Sequence, residues 1–364
     1  MKVAVMVLNF GEPESPTMEA VVPFLERIFR MNGSLDAGDT TPEQIEARAR
    51  RLAEARAPGL IEEYEAIGGS PLHAQAREQS VLLGEELRRR GHDAATYLGY
   101  QFTDPSIADA VSAARAAGVD VVVGLPVYPL CGPSTSVAAL DELDGAVNAA
   151  GWDVRLAHIS GWHRHPAYAD LRARAVRGVL ERDGLSLADP GTRLVFSAHG
   201  TPMKYLREGS RYDVYVHDHC RQLASSLHVS EYELGFQNHS NRPVEWTQPD
   251  IDRVIEEVDA SAVVVVPVSF MHEQSETLAE LDHELREVAE GRGLSFHRVP
   301  VPHADPAFIG LLADLVEGAL HGGAAAGEEV AGLPLQQCRC RPDSNTCCMN
   351  ASLERAESLP LPEL

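Results

Sequence analysis

The sequence predicts an α/β protein of two similar Rossmann-like lobes, each a parallel sheet wrapped by helices. An active-site cleft lies between the lobes, and a cysteine-rich tail follows them. Three observations predict this. Apolar β-branched runs alternate with amphipathic segments along residues 2–320, the pattern of parallel sheets covered on both faces. Several strand-end sequences recur in the same order in the two halves. The chain has 364 residues, of which 44% are hydrophobic, enough for two cores and too apolar for general disorder.

Charge and cysteine usage narrow the function classes. Lys plus Arg number 31 and Asp plus Glu 54, a net charge of −23, which repels nucleic acid and anionic lipid and suits a cationic substrate. No run of about 18 apolar residues is present. The apolar N-terminal run is short and leads into Gly11-Glu12-Pro13 with no small-residue cleavage site, so it reads as a first strand and not as a signal peptide. The expected compartment is therefore the reducing cytoplasm, where clustered cysteines suggest metal more than disulfides.

The first predicted strand spans residues 2–10 and closes on Asn9-Phe10-Gly11-Glu12-Pro13. An insertion follows, about 14–70. Ser15-Pro16-Thr17 starts its first helix, whose apolar face is Val21, Val22, Phe24, Leu25, Ile28 and Phe29, with Arg27 and Arg30 beside it. Thr41-Pro42-Glu43 starts a second helix rich in Arg and Ala. Standing at the carboxyl end of a strand, the insertion is expected to form a lip over the cleft. Further strands are expected at 94–101, 119–127, 153–159, 192–198, 232–237, 261–270 and 295–301. Helices are expected at 74–90, 106–117, 167–181, 212–227, 276–290 and 306–320. The domain reading is an N-terminal lobe over 1–160, a C-terminal lobe over 161–321, and a linker and tail over 322–364.

An internal echo supports the two-lobe reading. Asn9-Phe10-Gly11-Glu12-Pro13 is answered by Ala198-His199-Gly200-Thr201-Pro202, 189 residues later. Leu98-Gly99-Tyr100-Gln101 is answered by Leu234-Gly235-Phe236-Gln237, and Pro126-Val127 by Pro267-Val268. The later offsets are 136 and 141, so the first lobe carries about 50 extra residues between Glu14 and Ser70.

In doubly wound sheets, ligand-handling residues sit in loops at the carboxyl ends of strands. His199 occupies such a position, as a metal ligand or as a base active near neutral pH. Glu273, Glu276 and Glu280 are spaced three and four, on one face of a helix. They form either an acidic first turn facing water or a stack that carries protons or a cation in steps. Tyr128 and Cys131 lie in the loop after the third strand, and Trp246 is read as core.

Four stretches, taken together, resemble the ferrochelatases over about residues 3–320. They are Tyr64-Glu65-Ala66-Ile67-Gly68-Gly69-Ser70-Pro71-Leu72, Ser197-Ala198-His199-Gly200-Thr201-Pro202, Gly235-Phe236-Gln237 with Trp246 and Pro249, and Val266 through Asp282. The resemblance implies that ferrous iron is inserted into a porphyrin held between the lobes while two protons leave. It makes His199 the base and metal contact and Glu276 its partner carboxylate, with Glu273 and Glu280 as an acidic relay. It also makes the helix from Val21 to Arg30 the lip, and Phe10, Arg27, Arg30, Ser70 and Tyr128 candidate porphyrin contacts. Two positions depart from the pattern. Gln274 stands where many relatives have His, and Phe10 where some have Tyr. The substrate is protoporphyrin IX or coproporphyrin III. Alternatives are a cobalt or nickel chelatase of another tetrapyrrole and a two-lobed tetrapyrrole carrier without turnover. The lip's apolar face suits burial, a membrane surface or contact with another haem-pathway enzyme.

The tail carries Cys338, Cys340, Cys347 and Cys348. Some ferrochelatases hold a 2Fe–2S cluster with three ligands near the C-terminus and one from an internal loop. On that likeness the ligands are Cys131, Cys338, Cys340 and Cys347, with Cys348 as the alternate.

Overall fold

The structure is a computed structural model that describes residues 1–31, 41–208, 210–239 and 244–320, with the backbone of four two-residue strands beyond them. Eight longer strands form two sheets of four. In the first lobe β1 (Lys2–Asn9), β2 (Asp93–Tyr100), β3 (Val121–Pro126) and β4 (Arg155–His158) run in the order β2-β1-β3-β4. In the second, β5 (Thr192–His199), β6 (Glu233–Gln237), β7 (Ala262–Pro267) and β8 (Ser295–Arg298) run β6-β5-β7-β8. All pairings within these two sheets are parallel. The two orders are the same permutation, which is what the internal echo predicts.

The central strands are apolar on both faces because helices cover both. Every residue of β3 and of β7 is buried. In the first lobe α1 (Met18–Met31), α2 (Pro42–Ala66), α3 (Leu72–Arg89), α4 (Ile107–Ala116) and α5 (Ala138–Ala149) precede β4. The second lobe carries α6 (Pro166–Asp183), α7 (Met203–Arg207), α8 (Tyr212–Ser226), α9 (Ile251–Glu257), α10 (Arg286–Gly291) and α11 (Pro306–Leu320). Phe308, Leu312 and Val316 of α11 pack back into the core of the first lobe, which ties the two together.

The repeated Gly99 and Gly235 have a packing reason. A Cβ on Gly99 would stand 3.0 Å from the Ile107 Cα, and one on Gly235 only 2.6 Å from the Ile251 Cα. In each lobe a helix start lies directly against the strand, and only glycine leaves the room. Gly235→Ala is therefore expected to destabilise the fold by about 1–3 kcal/mol through overpacking, as a urea melt would show.

The insertion folds as expected. Thr41 caps α2 with a capping box closed by Gln44. Val21, Phe24 and Leu25 of α1 pack against Ala53, Ala57, Leu60 and Tyr64 of α2, with Phe102 beneath. Among the large apolar residues of α1, Met18 and Met31 are exposed and Val22, Ile28 and Phe29 partly buried, so the inner part of this face packs on α2.

One element differs in kind. The helix after β7 is expected to be α-helical over 276–290. Instead a π-helix, π2 (Glu276–Leu285), runs into α10. The shorter π1 (Pro133–Val137) occupies the equivalent place after β3. Of the tail, Cys338 and Cys340 lie outside the described residues, while Cys347 and Cys348 are described as backbone only. No described helix is long and apolar enough to cross a membrane.

Candidate active site

Two cavities stand out. A groove of about 640 Å³ is lined by Arg182, Arg286, Arg298 and their partners Asp183 and Asp282, side chains already committed to one another. The smaller, about 270 Å³, lies between the lobes at the carboxyl ends of β1, β3, β5 and β7. It gathers His199, Glu276, Glu280, Glu12, Tyr128 and Phe10, with Phe24, Leu25, Ile28 and Phe29 of the lip on one side. Groups able to exchange protons meet an apolar wall there, so the smaller cavity is the candidate site.

His199 is the last residue of β5. Its backbone N–H donates to Ser269 Oγ at 3.0 Å, and Tyr212 donates its hydroxyl to the His199 carbonyl at 2.9 Å. The ring lies 2.6 Å from the Gly200 carbonyl through Nδ1. A carbonyl only accepts, so Nδ1 carries the hydrogen and Nε2 keeps its lone pair. Burial pushes the imidazole below its ordinary value, against the opposing effect of the Gly200 bond, so the ring is neutral near pH 7. Gly200 is required as well: a Cβ there would meet Asn238 Oδ1 at 2.0 Å and the Gln237 carbonyl at 2.8 Å.

Glu276 opens π2. Ser275 Oγ lies 2.9 Å and Gln274 Nε2 3.0 Å from its Oε2. Burial raises its pKa, and those two bonds oppose the rise. Glu280 follows one turn later and accepts from Gln237 Nε2 at 2.8 Å. Burial, then the Glu276 charge, pushes Glu280 up to about 8. The wide π turn keeps residues four apart near one line, and Glu284 continues it, also raised by burial and by Glu63. The acidic row is therefore Glu276, Glu280 and Glu284.

Glu273 is not in that row. It lies before π2, so no helix sets its direction, and Arg298 holds it at 3.1 Å while forking onto Asp282. Arg27 and Arg30 also stand elsewhere. Arg27 pairs with Asp104 at 3.1 Å and Arg30 with Glu46 at 2.6 Å, and neither lines the cavity. The guanidinium that does line it is that of Arg56, paired with Glu63 at 2.7 Å. Phe10 lines the wall, edge-on to Phe24 and tilted against Phe102. Tyr128 lines it too, donating to Gln101 Oε1 at 3.1 Å. Ser70 donates to the Glu12 carboxylate from behind the wall.

Two wall residues, Glu12 and His239, carry no role from the sequence, and a third, Trp246, stands elsewhere than expected. Glu12, at the end of β1, is pushed up to about 7 by burial and by Glu276. Its signal was its place in the first strand-end loop. His239 and Trp246 form an edge-to-face chain with His199, at 5.2 Å and 5.3 Å between successive ring centroids. Trp246 is thus cavity wall, where its neighbourhood in sequence suggests core.

Cys131 is buried in the second lobe's core, and Ser160 donates to its sulfur at 3.1 Å. A 2Fe–2S cluster needs four converging thiolates. The described side chains bring one to this place, so they do not by themselves make a cluster site. Among the described residues no group of three or more His, Cys, Asp or Glu is placed to hold a metal ion.

The raised Glu280 has a consequence for stability. Its folded value lies above the ordinary 4.5, so the neutral form is favoured in the fold. That contribution is whole below pH 4.5 and is lost as pH rises through about 8. Glu280→Gln is expected to melt several degrees above wild type at pH 8, with the gap closing toward pH 5, in thermal melts at both values.

Comparison with known proteins places the chain beside one family. The family model described as Ferrochelatase matches residues 2–320. A ferrochelatase from a Synechococcus strain is 36% identical over 345 residues, covering 92% of this chain and 86% of that protein. One from a Geobacter strain is 30% identical, covering 87% of this chain and 98% of that protein. Among solved structures, SirB from Bacillus subtilis with Fe3+ superposes with a TM-score of 0.53 at 12% identity, over 88% of this chain and 97% of that one. That likeness concerns the fold.

Proposed function

Because this chain belongs to the ferrochelatase family, and is thereby a metal chelatase of haem biosynthesis, we propose that it inserts Fe2+ into protoporphyrin IX or coproporphyrin III and releases two protons. The observation that carries the reading is the pairing, in one apolar cleft, of a neutral His199 with a buried carboxylate on Glu276.

Metal entry requires both pyrrole N–H protons to leave the ring. His199 Nε2 takes one, since its lone pair is free while Nδ1 is held by Gly200. Glu276, once ionised, takes the other; Glu280, which holds a proton near pH 7, passes its own to an ionised Glu284 and then receives that of Glu276. Each step is a proton moving from one carboxyl to the next, and the row is made easy to protonate by burial. Phe10, Phe24, Leu25, Ile28 and Phe29 offer an apolar seat for the macrocycle, and Tyr128 a polar edge. Mixing full-length protein, Fe2+ and each porphyrin under anaerobic conditions tests the reading. Turnover to haem or to iron coproporphyrin supports it; stoichiometric binding of unreacted porphyrin refutes it.

The cytoplasmic setting and the tail cluster are further parts of the proposal. The cluster rests on the resemblance to ferrochelatases that carry one, with Cys131, Cys338, Cys340 and Cys347 as ligands and Cys348 as the alternate, and no step of the mechanism uses it. Full-length protein is expected to carry iron and sulfide with visible absorption that Cys131→Ser or Cys338→Ser removes. A colourless, iron-free protein would refute the cluster.

A further inference from the structure

We propose that Glu12 is a positioning residue that fastens the first turn of π2 to the opposite lobe and so sets the place of Glu276 in the cleft. The inference rests on the chelatase reading above and adds to it a residue from the other half of the chain.

The carboxylate of Glu12 is held from both lobes. From its own lobe, Tyr64 of α2 donates its hydroxyl at 2.6 Å, Ser70 donates a second, and the Glu12 backbone N–H reaches His73 Nε2 at 3.4 Å. From the second lobe, Ser275 donates to Glu12 Oε1 twice, through Oγ at 2.6 Å and through its backbone N–H at 3.2 Å. Ser275 is the cap residue immediately before π2, and its own side chain makes no capping bond within that helix. A helix start leaves backbone N–H groups without partners inside the helix, and a carboxylate there is favoured by the helix dipole. Glu12 supplies that acceptor from across the cleft, 263 residues away in sequence.

Ser275 Oγ lies at the same time 2.9 Å from Glu276 Oε2; its one hydrogen serves one of the two carboxylates at a time while its backbone N–H stays on Glu12, so the clasp ends one contact from the residue assigned to proton removal. Among the described residues the clasp has no copy in the internal repeat. The equivalent position after β5 is Thr201, whose N–H donates to Thr247 Oγ1 at 3.1 Å within its own lobe. Glu12 is therefore an asymmetric feature of the first lobe, placed where the two lobes meet.

The test compares Glu12→Ala, Glu12→Gln and Ser275→Ala in the full chain, with steady-state Fe2+ insertion and a thermal melt for each. Glu12→Ala is expected to lower kcat about 10- to 100-fold, as sub-ångström misplacement of a reacting group does, with the porphyrin KM little changed. Glu12→Gln keeps an oxygen for both Ser275 donors and is expected to retain most of kcat, and Ser275→Ala to fall between. Wild-type kcat in Glu12→Ala overturns the proposal, as does equal damage in Glu12→Gln, which would mean that charge and not position matters. If Glu12→Ala does not fold, the pair decides: Ser275→Ala impaired with Glu12→Gln spared supports the clasp, and the reverse refutes it. Failure of the wild type to metallate any porphyrin would instead strike the functional reading.

Discussion

His199→Ala is expected to lower kcat for metallation by about 10²–10⁴-fold while leaving porphyrin binding nearly intact. The loss follows from one oriented lone pair. The bond from Nδ1 to the Gly200 carbonyl fixes the tautomer, and burial keeps the ring neutral, so Nε2 is ready to accept a proton without first losing one. The neighbouring His239 lies 5.2 Å away ring to ring and stacks edge-on, so it is not placed to take over. The gap left by alanine is open to the cleft, and added imidazole is expected to restore part of the rate. Stopped-flow absorbance of the Soret band reads both effects, and a His199→Ala protein with wild-type kcat would remove His199 from the chemistry.

Glu276→Gln is expected to have the second-largest effect, about a 10²–10³-fold loss of kcat. The substitution keeps the shape of the side chain and a partner for Ser275 and Gln274, but it removes a proton acceptor and a negative charge. The pH profile separates this from mere disturbance. A carboxyl raised by burial accepts protons only after it ionises, so wild-type kcat rises with pH through a value above the ordinary carboxylate range. In Glu276→Gln that acid limb is expected to flatten. A variant with unchanged rate and profile would leave the proton path to other groups.

Much of this was legible along the chain. Strands β3 and β7 were readable because strands buried on both faces are apolar runs rich in Val, as in Val263–Val266. The insertion was legible as an offset in a repeat, and its capping residues were visible in Thr41-Pro42-Glu43. His199 and Glu276 stood out because the carboxyl ends of parallel strands converge by topology.

What the sequence misplaced shares one cause. Glu273 was assigned to the acidic row by helical spacing, but the helix starts at Glu276 and Arg298 captures the earlier carboxylate. Arg27 and Arg30 lay beside an apolar face in sequence, yet Asp104 and Glu46 draw them outward, and Arg56 from the neighbouring helix reaches the cavity instead. Each error concerns the partner that a long charged side chain finds, and that partner is set by elements distant in the chain.

The sequence alone thus determined the two-lobed α/β plan and marked His199 and Glu276 as candidates at strand ends, because periodicity and strand ends are local properties. The tertiary structure decided the tautomer of His199, the capture of Glu273 by Arg298 outside the Glu276–Glu280 row, and the meeting of Glu12 with Ser275 across the cleft. Those depend on hydrogen bonds and burial between segments far apart in sequence, and only packing the lobes together sets which donor meets which acceptor.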